Sequence, residues 1–130
     1  MASRDLVDLN PLLAQAWIAL AYQYSLQNPG KSLGLTCTWR SIDEQKVLYA
    51  QGRTTPGQII TYVDGVNKLS NHNYRPARAM DFAVMVAGKI TWDEAEYKIV
   101  GKLAKEHGLA WGGDWKTLKD YPHLEFVGLS

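Results

Sequence analysis

Ala79-Met80-Asp81-Phe82-Ala83-Val84-Met85-Val86 is the stretch on which the fold turns: it reads as a largely apolar strand, and Ala87-Gly88-Lys89 turns the chain directly after it. Upstream, Leu33-Gly34-Leu35-Thr36-Cys37-Thr38-Trp39 alternates apolar with small or polar residues, the period-two pattern of a strand with one buried face, which turns Cys37 inward. Downstream, the alternation after Pro122, through His123, Leu124, Glu125 and Phe126, predicts a final strand. Three helices lie between and before these strands. Asn10-Pro11 caps and opens the first, which runs to Asn28; Ser41 and Glu44 form a capping box for residues 42–51; Thr91 and Glu94 form another, before a helix with Ala95, Ile99, Leu103 and Ala104 on one face and Gly108 at its end. Gln58 to Val63 is β-branched and expected to be extended. Helices and strands mixed without βαβ regularity define an α+β fold, a small antiparallel sheet flanked by helices.

The chain has 130 residues, the size of one domain, so residues 1–130 are expected to form a single domain with its own core. Fourteen Lys+Arg against 13 Asp+Glu leave a charge of +1, which offers no broad basic field to nucleic acid. No apolar run approaches the roughly 20 residues that span a bilayer, and the N-terminus lacks the apolar core of a signal peptide. A cytoplasmic protein without a membrane anchor is therefore expected. The single cysteine, Cys37, rules out an internal disulfide; in an alternating strand it reads as a core thiol rather than a nucleophile. His107, at a helix end, reads as complementing the helix dipole. Trp111 is expected in the core and Trp115 at the core or the rim, with Gly112-Gly113 letting a backbone approach substrate closely.

Two segments each bring a histidine and a carboxylate to a strand or its edge: His72 through Asp81, and Asp120 through His123 to Glu125. A catalytic zinc takes three protein ligands from imidazole and carboxylate and keeps a fourth position open, and His72, Asp81 and His123 would supply that set. Such a metal lowers the pKa of its water to about 7, while a nearby carboxylate still has to take the proton; Asp120 is the candidate, with Glu125 as second choice. The residues alone also admit a structural account, with His72 a polar loop residue, Asp81 a turn or cap, and His123 a half-buried strand residue bonded to backbone. Both readings stay open at this level.

Taken in order, Trp39-Arg40-Ser41 with Glu44-Gln45, Leu48-Tyr49, Gln51-Gly52-Arg53-Thr54, Pro56-Gly57, Thr61, Ser70-x-His72, Ala79-x-Asp81-Phe82, Trp111-Gly112-Gly113-Asp114-Trp115 and Asp120-x-Pro122-His123-Leu124-Glu125 resemble the zinc peptidases of the D-Ala-D-Ala carboxypeptidase/VanY-like group (peptidase M15). Within that group they are most similar to small phage L-alanyl-D-glutamate endopeptidases. The resemblance implies a Hedgehog/DD-peptidase-like fold and a Zn2+ held by His72, Asp81 and His123. It further implies Asp120 as the base, Arg40 as the group that polarises the scissile carbonyl, and Ser70 and Trp115 in substrate binding. Glu125, on the same strand face as His123, would buttress that histidine. The implied substrate is bacterial peptidoglycan, cut by a monomer made in a host cytoplasm and acting on the wall after release. With no separate wall-binding domain expected, the catalytic groove itself would bind the polymer. The alternatives are a D,D- or L,D-carboxypeptidase on the same fold, or a zinc-stabilised binding module without catalysis. One departure stands out: His72 and Asp81 are nine positions apart, longer than the family's usual His-x-x-Gly-x-Ala-x-Asp, and Asn73-Tyr74-Arg75-Pro76 fills the added length. A two-residue difference keeps strand parity and leaves Asp81 on the same face.

Overall fold

In the computed structural model, which describes residues 2–128, the Asn10 side chain accepts a hydrogen bond from the Leu12 N–H and Pro11 opens helix α1, Pro11–Gln27. Gly30, at φ +83°, reverses the chain into strand β1, Lys31–Cys37. Ser41 accepts from the Glu44 N–H at the start of α2, Ile42–Ala50, as the capping pattern predicts. After a long loop come β2, Ala79–Val86, and β3, Lys89–Thr91, joined by a two-residue turn in which Ala87 and Gly88 both have positive φ, the geometry that matches strand twist. Helix α3, Glu94–Glu106, leads to β4, Leu109–Trp111, and the chain ends in β5, His123–Phe126.

The strands form one antiparallel sheet in the order β1-β2-β5-β4, with β3 also paired to β2. Strand β2 is its centre, and the alternation of its side chains divides the molecule. Met80, Phe82 and Val84 point to one face, where they pack with Leu13, Trp17, Leu20 and Tyr24 of α1, Tyr97, Val100 and Ala104 of α3, and Leu124 of β5. The opposite face carries Asp81, and its register partner on β5 is His123. Helices α1 and α3 thus build the core on one side and leave the other for polar chemistry. Among the described residues no helix is long and apolar enough to cross a membrane.

Two local expectations are corrected, for β1 and α3, and two short strands are unanticipated. Strand β1 starts at Lys31 and stops at Cys37 rather than spanning 33–39, because Thr38 and Trp39 pair instead with the N-terminal arm (Thr38 N–H to Ser3 O and Ser3 N–H to Trp39 O, both 2.7 Å). Residues 58–63, expected to be extended, join no strand of the sheet. Side chains rather than a neighbouring strand bind their carbonyls: Gln51 bonds Gln58 O, Arg53 bonds Thr61 O and Gln45 bonds Val63 O. Helix α3 is capped by Asp93, not Thr91, and its buried face is Tyr97, Val100, Gly101 and Ala104, so Ile99 faces solvent. Gly101 sets that rotation: a Cβ there would lie 2.3 Å from the Trp111 indole, so only glycine lets the helix press onto the ring. Finally, β3 and β4 are strands of three residues each, too short for periodicity to show.

Candidate active site

The site grows from the sheet. Asp81 and His123 are directly opposed on β2 and β5, and Cys37 opposes Asp81 on β1 across an irregularity between Leu35 and Cys37. Such bulges redirect a side chain, and this one aims the Cys37 thiol toward the site. His72 arrives from the loop before β2 and is tied on several sides. The Ser70 hydroxyl accepts from the His72 N–H, the His72 carbonyl accepts from the Arg40 N–H at 2.8 Å, and His72 Nδ1 lies 2.8 Å from Thr38 O.

These ties decide the state of both rings. A backbone carbonyl only accepts, so His72 Nδ1 carries the hydrogen. On His123, Nε2 lies 2.7 Å from Glu125 Oε1 and likewise donates. The other two nitrogens, His72 Nε2 and His123 Nδ1, both turn to one atom, Asp81 Oδ1, at 3.2 and 3.1 Å. In neutral imidazoles these nitrogens bear lone pairs, so the convergence demands a positive charge among them. Two protons would provide it. Burial alone would lower both histidine pKa values, but Asp81, aided at His123 by Glu125, overrides burial and raises them to about 10 and about 9. A single divalent cation would meet the same demand. A tetrahedral ion with ligand bonds near 2.0–2.1 Å sets ligand atoms about 3.3 Å apart, close to the two distances observed. The hydrogen-bonded far nitrogens are the usual outer support of metal-binding histidines. The donor set therefore fits a divalent metal.

Two overlapping groups have donor atoms within 4.8 Å of one another: Cys37, His72 and Asp81, and Asp81, Asp120 and His123. Asp81 belongs to both. Cys37 reaches His72 from the Nδ1 side, at 3.6 Å, where Thr38 O already takes the hydrogen; it is buried, as the strand pattern predicts. Asp120 is half-buried, its Oδ2 3.8 Å from His123 Nδ1. Burial and the negative Asp81 raise its pKa, against the pull of His123, His72 and Arg40. Asp81 itself would be driven up by burial, yet the two histidines hold it well below the usual carboxylate range.

Arg40 Nη2 lies 3.4 Å from Asp81 Oδ2, the oxygen the histidines leave, and Nη1 donates to Gln45 Oε1 at 3.0 Å. Gln45 is one of three supporting residues that the sequence reading does not single out. It is buried, and its amide also donates to Val63 O; its only signal is its place in the motif beside Glu44. Thr38 and Asn73 are the others: Thr38 O orients His72, and the Asn73 amide donates to Arg40 O. Ser70 holds the His72 turn as well as lining the cleft, and the Trp115 ring lies 4.9 Å from that of His123. Gly112 and Gly113 permit close approaches within the chain. A Cβ on Gly112 would meet Asp120 O at 2.3 Å and one on Gly113 the Trp111 ring at 2.2 Å, so the close approach is internal and it seats the Asp120 segment. Asp120 N–H donates to Gly112 O, and Trp111 is core, its indole N–H bonded to Tyr121 O. His107 lies apart, bonded to Gln23. A cleft of about 960 Å³ opens over the site, walled by Arg40, Ile60, Tyr62, Trp115, Leu118 and Asp120 among others.

Fold and site together define a metallopeptidase of the M15 group, and the chain belongs to that family: a family model described as D-alanyl-D-alanine carboxypeptidase matches residues 64–126, the segment carrying His72, Asp81, Asp120 and His123. Among individual proteins, the chain is 41% identical to the peptidoglycan L-alanyl-D-glutamate endopeptidase CwlK of Bacillus subtilis, over 92% of this chain and 74% of that one. It is 34% identical to the L-alanyl-D-glutamate peptidase of Listeria phage A118, over 62% of this chain and 30% of the phage protein. In three dimensions it resembles the L-Ala D-Glu endopeptidase ChiX of Serratia marcescens (TM-score 0.70, 26% identity, 98% of this chain and 89% of that one). The LD-carboxypeptidase LdcB has the same fold (TM-score 0.67, 19% identity, 97% of this chain and 63% of that one).

Proposed function

We propose that the chain is a zinc-dependent peptidoglycan endopeptidase that hydrolyses the L-alanyl-D-glutamate bond of stem peptides. The observation that carries this reading is the convergence of His72 Nε2 and His123 Nδ1 on Asp81 Oδ1 with a carboxylate, Asp120, beside them at the open cleft. The names of the Bacillus, phage and Serratia relatives support the bond assignment. His72, Asp81 and His123 would hold the zinc, a ligand set suited to a catalytic site. When bound, the ion polarises the scissile carbonyl and makes water nucleophilic near neutral pH.

The chain's own residues do the rest. Asp120, its pKa raised by burial and by Asp81, takes the proton of the attacking water and delivers it to the leaving amine nitrogen. Arg40, held by Gln45 on one side and Asp81 on the other, places a fixed cation where the carbonyl oxygen becomes negative, which favours the transition state over the ground state. Glu125 and Thr38 fix the ring orientations of His123 and His72. Trp115 walls the cleft beside His123, and Ser70 anchors the turn that delivers His72.

The test is mass spectrometry of products from purified peptidoglycan, comparing wild type with Asp120→Ala and His72→Ala. New N-terminal glutamate is the expected product. Free D-alanine would instead make the protein a carboxypeptidase, as the description of the family model suggests. No release of either, with zinc bound, would make it a binding module. Full activity in Asp120→Ala would overturn the base, and stoichiometric zinc in His72→Ala would overturn the ligand set.

A further inference from the structure

We propose that Lys116 and Lys119 form the subsite for the free carboxylate of the glutamyl residue on the leaving side of the scissile bond; this rests on the endopeptidase reading above. When the nitrogen of glutamate is acylated by alanine and the peptide continues through one of its two carboxyls, the other remains free. Unless that carboxyl is amidated, the leaving residue carries one anion close to the bond being cut. A cation placed for that anion favours binding and discriminates against a neutral analogue.

The position follows from the base. Asp120 delivers a proton to the leaving nitrogen, so the glutamyl residue lies on the Asp120 side of the cleft. That wall is the segment from Trp115 to Asp120, and both lysines line the cleft from it. Lys119 Nζ donates to Gly113 O at 3.2 Å, which holds its ammonium beside the same 112–113 turn that seats Asp120. Among the described residues four cations line the cleft, Arg40, Lys68, Lys116 and Lys119, and only the last two are carried by the segment that ends in Asp120. Elsewhere Lys31 pairs with Glu96, Arg75 with Asp8 and Lys105 with Asp114. Arg40, inside the cleft, is engaged by Asp81. Among the described residues Lys116 and Lys119 make no ion pair, and the carboxylates that line the cleft with them are already committed, Glu125 to His123 and Asp120 to proton transfer. Two ammonium groups act as point charges and need no fork geometry, which suits a carboxylate on a flexible side chain.

The experiment compares two synthetic stem peptides, one with the free carboxylate of glutamate and one with that group as its carboxamide, for cleavage after alanine. Wild type should prefer the carboxylate by about tenfold in kcat/KM, the scale of two exposed charge contacts. In Lys116→Met/Lys119→Met the ratio should fall to within about twofold of unity, and in Lys116→Arg/Lys119→Arg it should persist. No preference in wild type, or a preference kept in the methionine double variant, overturns the subsite while leaving the endopeptidase reading intact. Cleavage of neither peptide after alanine by zinc-loaded wild type overturns both.

Discussion

Replacing Glu125 with glutamine keeps its shape and removes the charge behind His123. Glu125 is 2% exposed, and its Oε1 accepts from His123 Nε2 at 2.7 Å. That bond sets the tautomer that leaves Nδ1 free to face Asp81. Loss of such an outer partner weakens metal binding by about 10- to 100-fold, or about 1.4 to 2.7 kcal/mol. Glutamine can still accept through its amide oxygen, so Glu125→Gln should lie near the tenfold end and Glu125→Ala, which removes the acceptor, near the hundredfold end. At saturating zinc both should regain most of their turnover, because proton transfer belongs to Asp120. Asp120→Asn should show the reverse: zinc affinity within a few-fold of wild type and kcat lower by about 10² to 10⁴. Competition against a chromophoric chelator gives the affinities, and cleavage of a stem peptide at saturating zinc gives the turnover. The reasoning is refuted if zinc-loaded Glu125→Gln is inactive while Asp120→Asn turns over normally, for then the buried carboxylate is the base.

Stripping the metal with a chelator should lower the melting temperature. With free zinc at a hundred times Kd, binding adds about 2.7 kcal/mol, or about 10 °C for a chain of this size, and an unchanged melting curve would place the metal elsewhere. Gly112→Ala puts a Cβ 2.3 Å from Asp120 O and should cost about 1–3 kcal/mol of stability with a drop in kcat, measured by denaturant titration and turnover. Glu96 is held below the usual carboxylate range by hydrogen bonds from Lys31 and then Tyr24. Because its folded pKa lies below the unfolded one, its contribution is complete above the unfolded value and disappears as pH falls through the folded value. Glu96→Gln should therefore melt below wild type at pH 7, and the gap should narrow as pH falls below the ordinary carboxylate value; a gap that stays constant on acidification would show that the charge is not responsible.

What the sequence makes legible follows the range of each interaction. The caps at Asn10 and Ser41 are local, a side chain and an amide two or three residues away, and they appear where the pattern places them. Strand β2 runs from Ala79 to Val86 as expected, because an apolar run closed by a tight turn is again a local signal. That His72, Asp81, Asp120 and His123 meet in one cleft is anticipated by the motif order that carries the family resemblance, where the residues alone leave a structural account open. Residues 58–63 are β-branched, yet they join no sheet, because no strand lies beside them. The rotation of α3 is hidden for a related reason: it depends on Gly101 meeting Trp111, a contact that periodicity within the helix does not record. Gln45 is missed because a glutamine on a short, polar helix reads as surface, and only tertiary structure puts Arg40 and the 58–63 loop on either side of it.

The length between His72 and Asp81 looks at first like a threat to the ligand set, and the ladder explains why it is not. Asp81 is placed by β2, paired with His123 on one side and Cys37 on the other, so its position does not depend on the loop that precedes it. His72 is placed by Thr38 O, the Ser70 hydroxyl and the Arg40 N–H, all upstream of the added residues. The extra length between these two anchors is taken up against the N-terminal arm: Ala77 N–H donates to Asp8 O, Asn10 N–H to Ala77 O, and Arg75 reaches both the Asp8 carboxylate and the Trp39 ring. One pair of donors fixed by sheet register and one histidine fixed by its own turn leave the connection between them free to vary, so the loop can change length while the geometry of the proposed metal site stays where the sheet puts it.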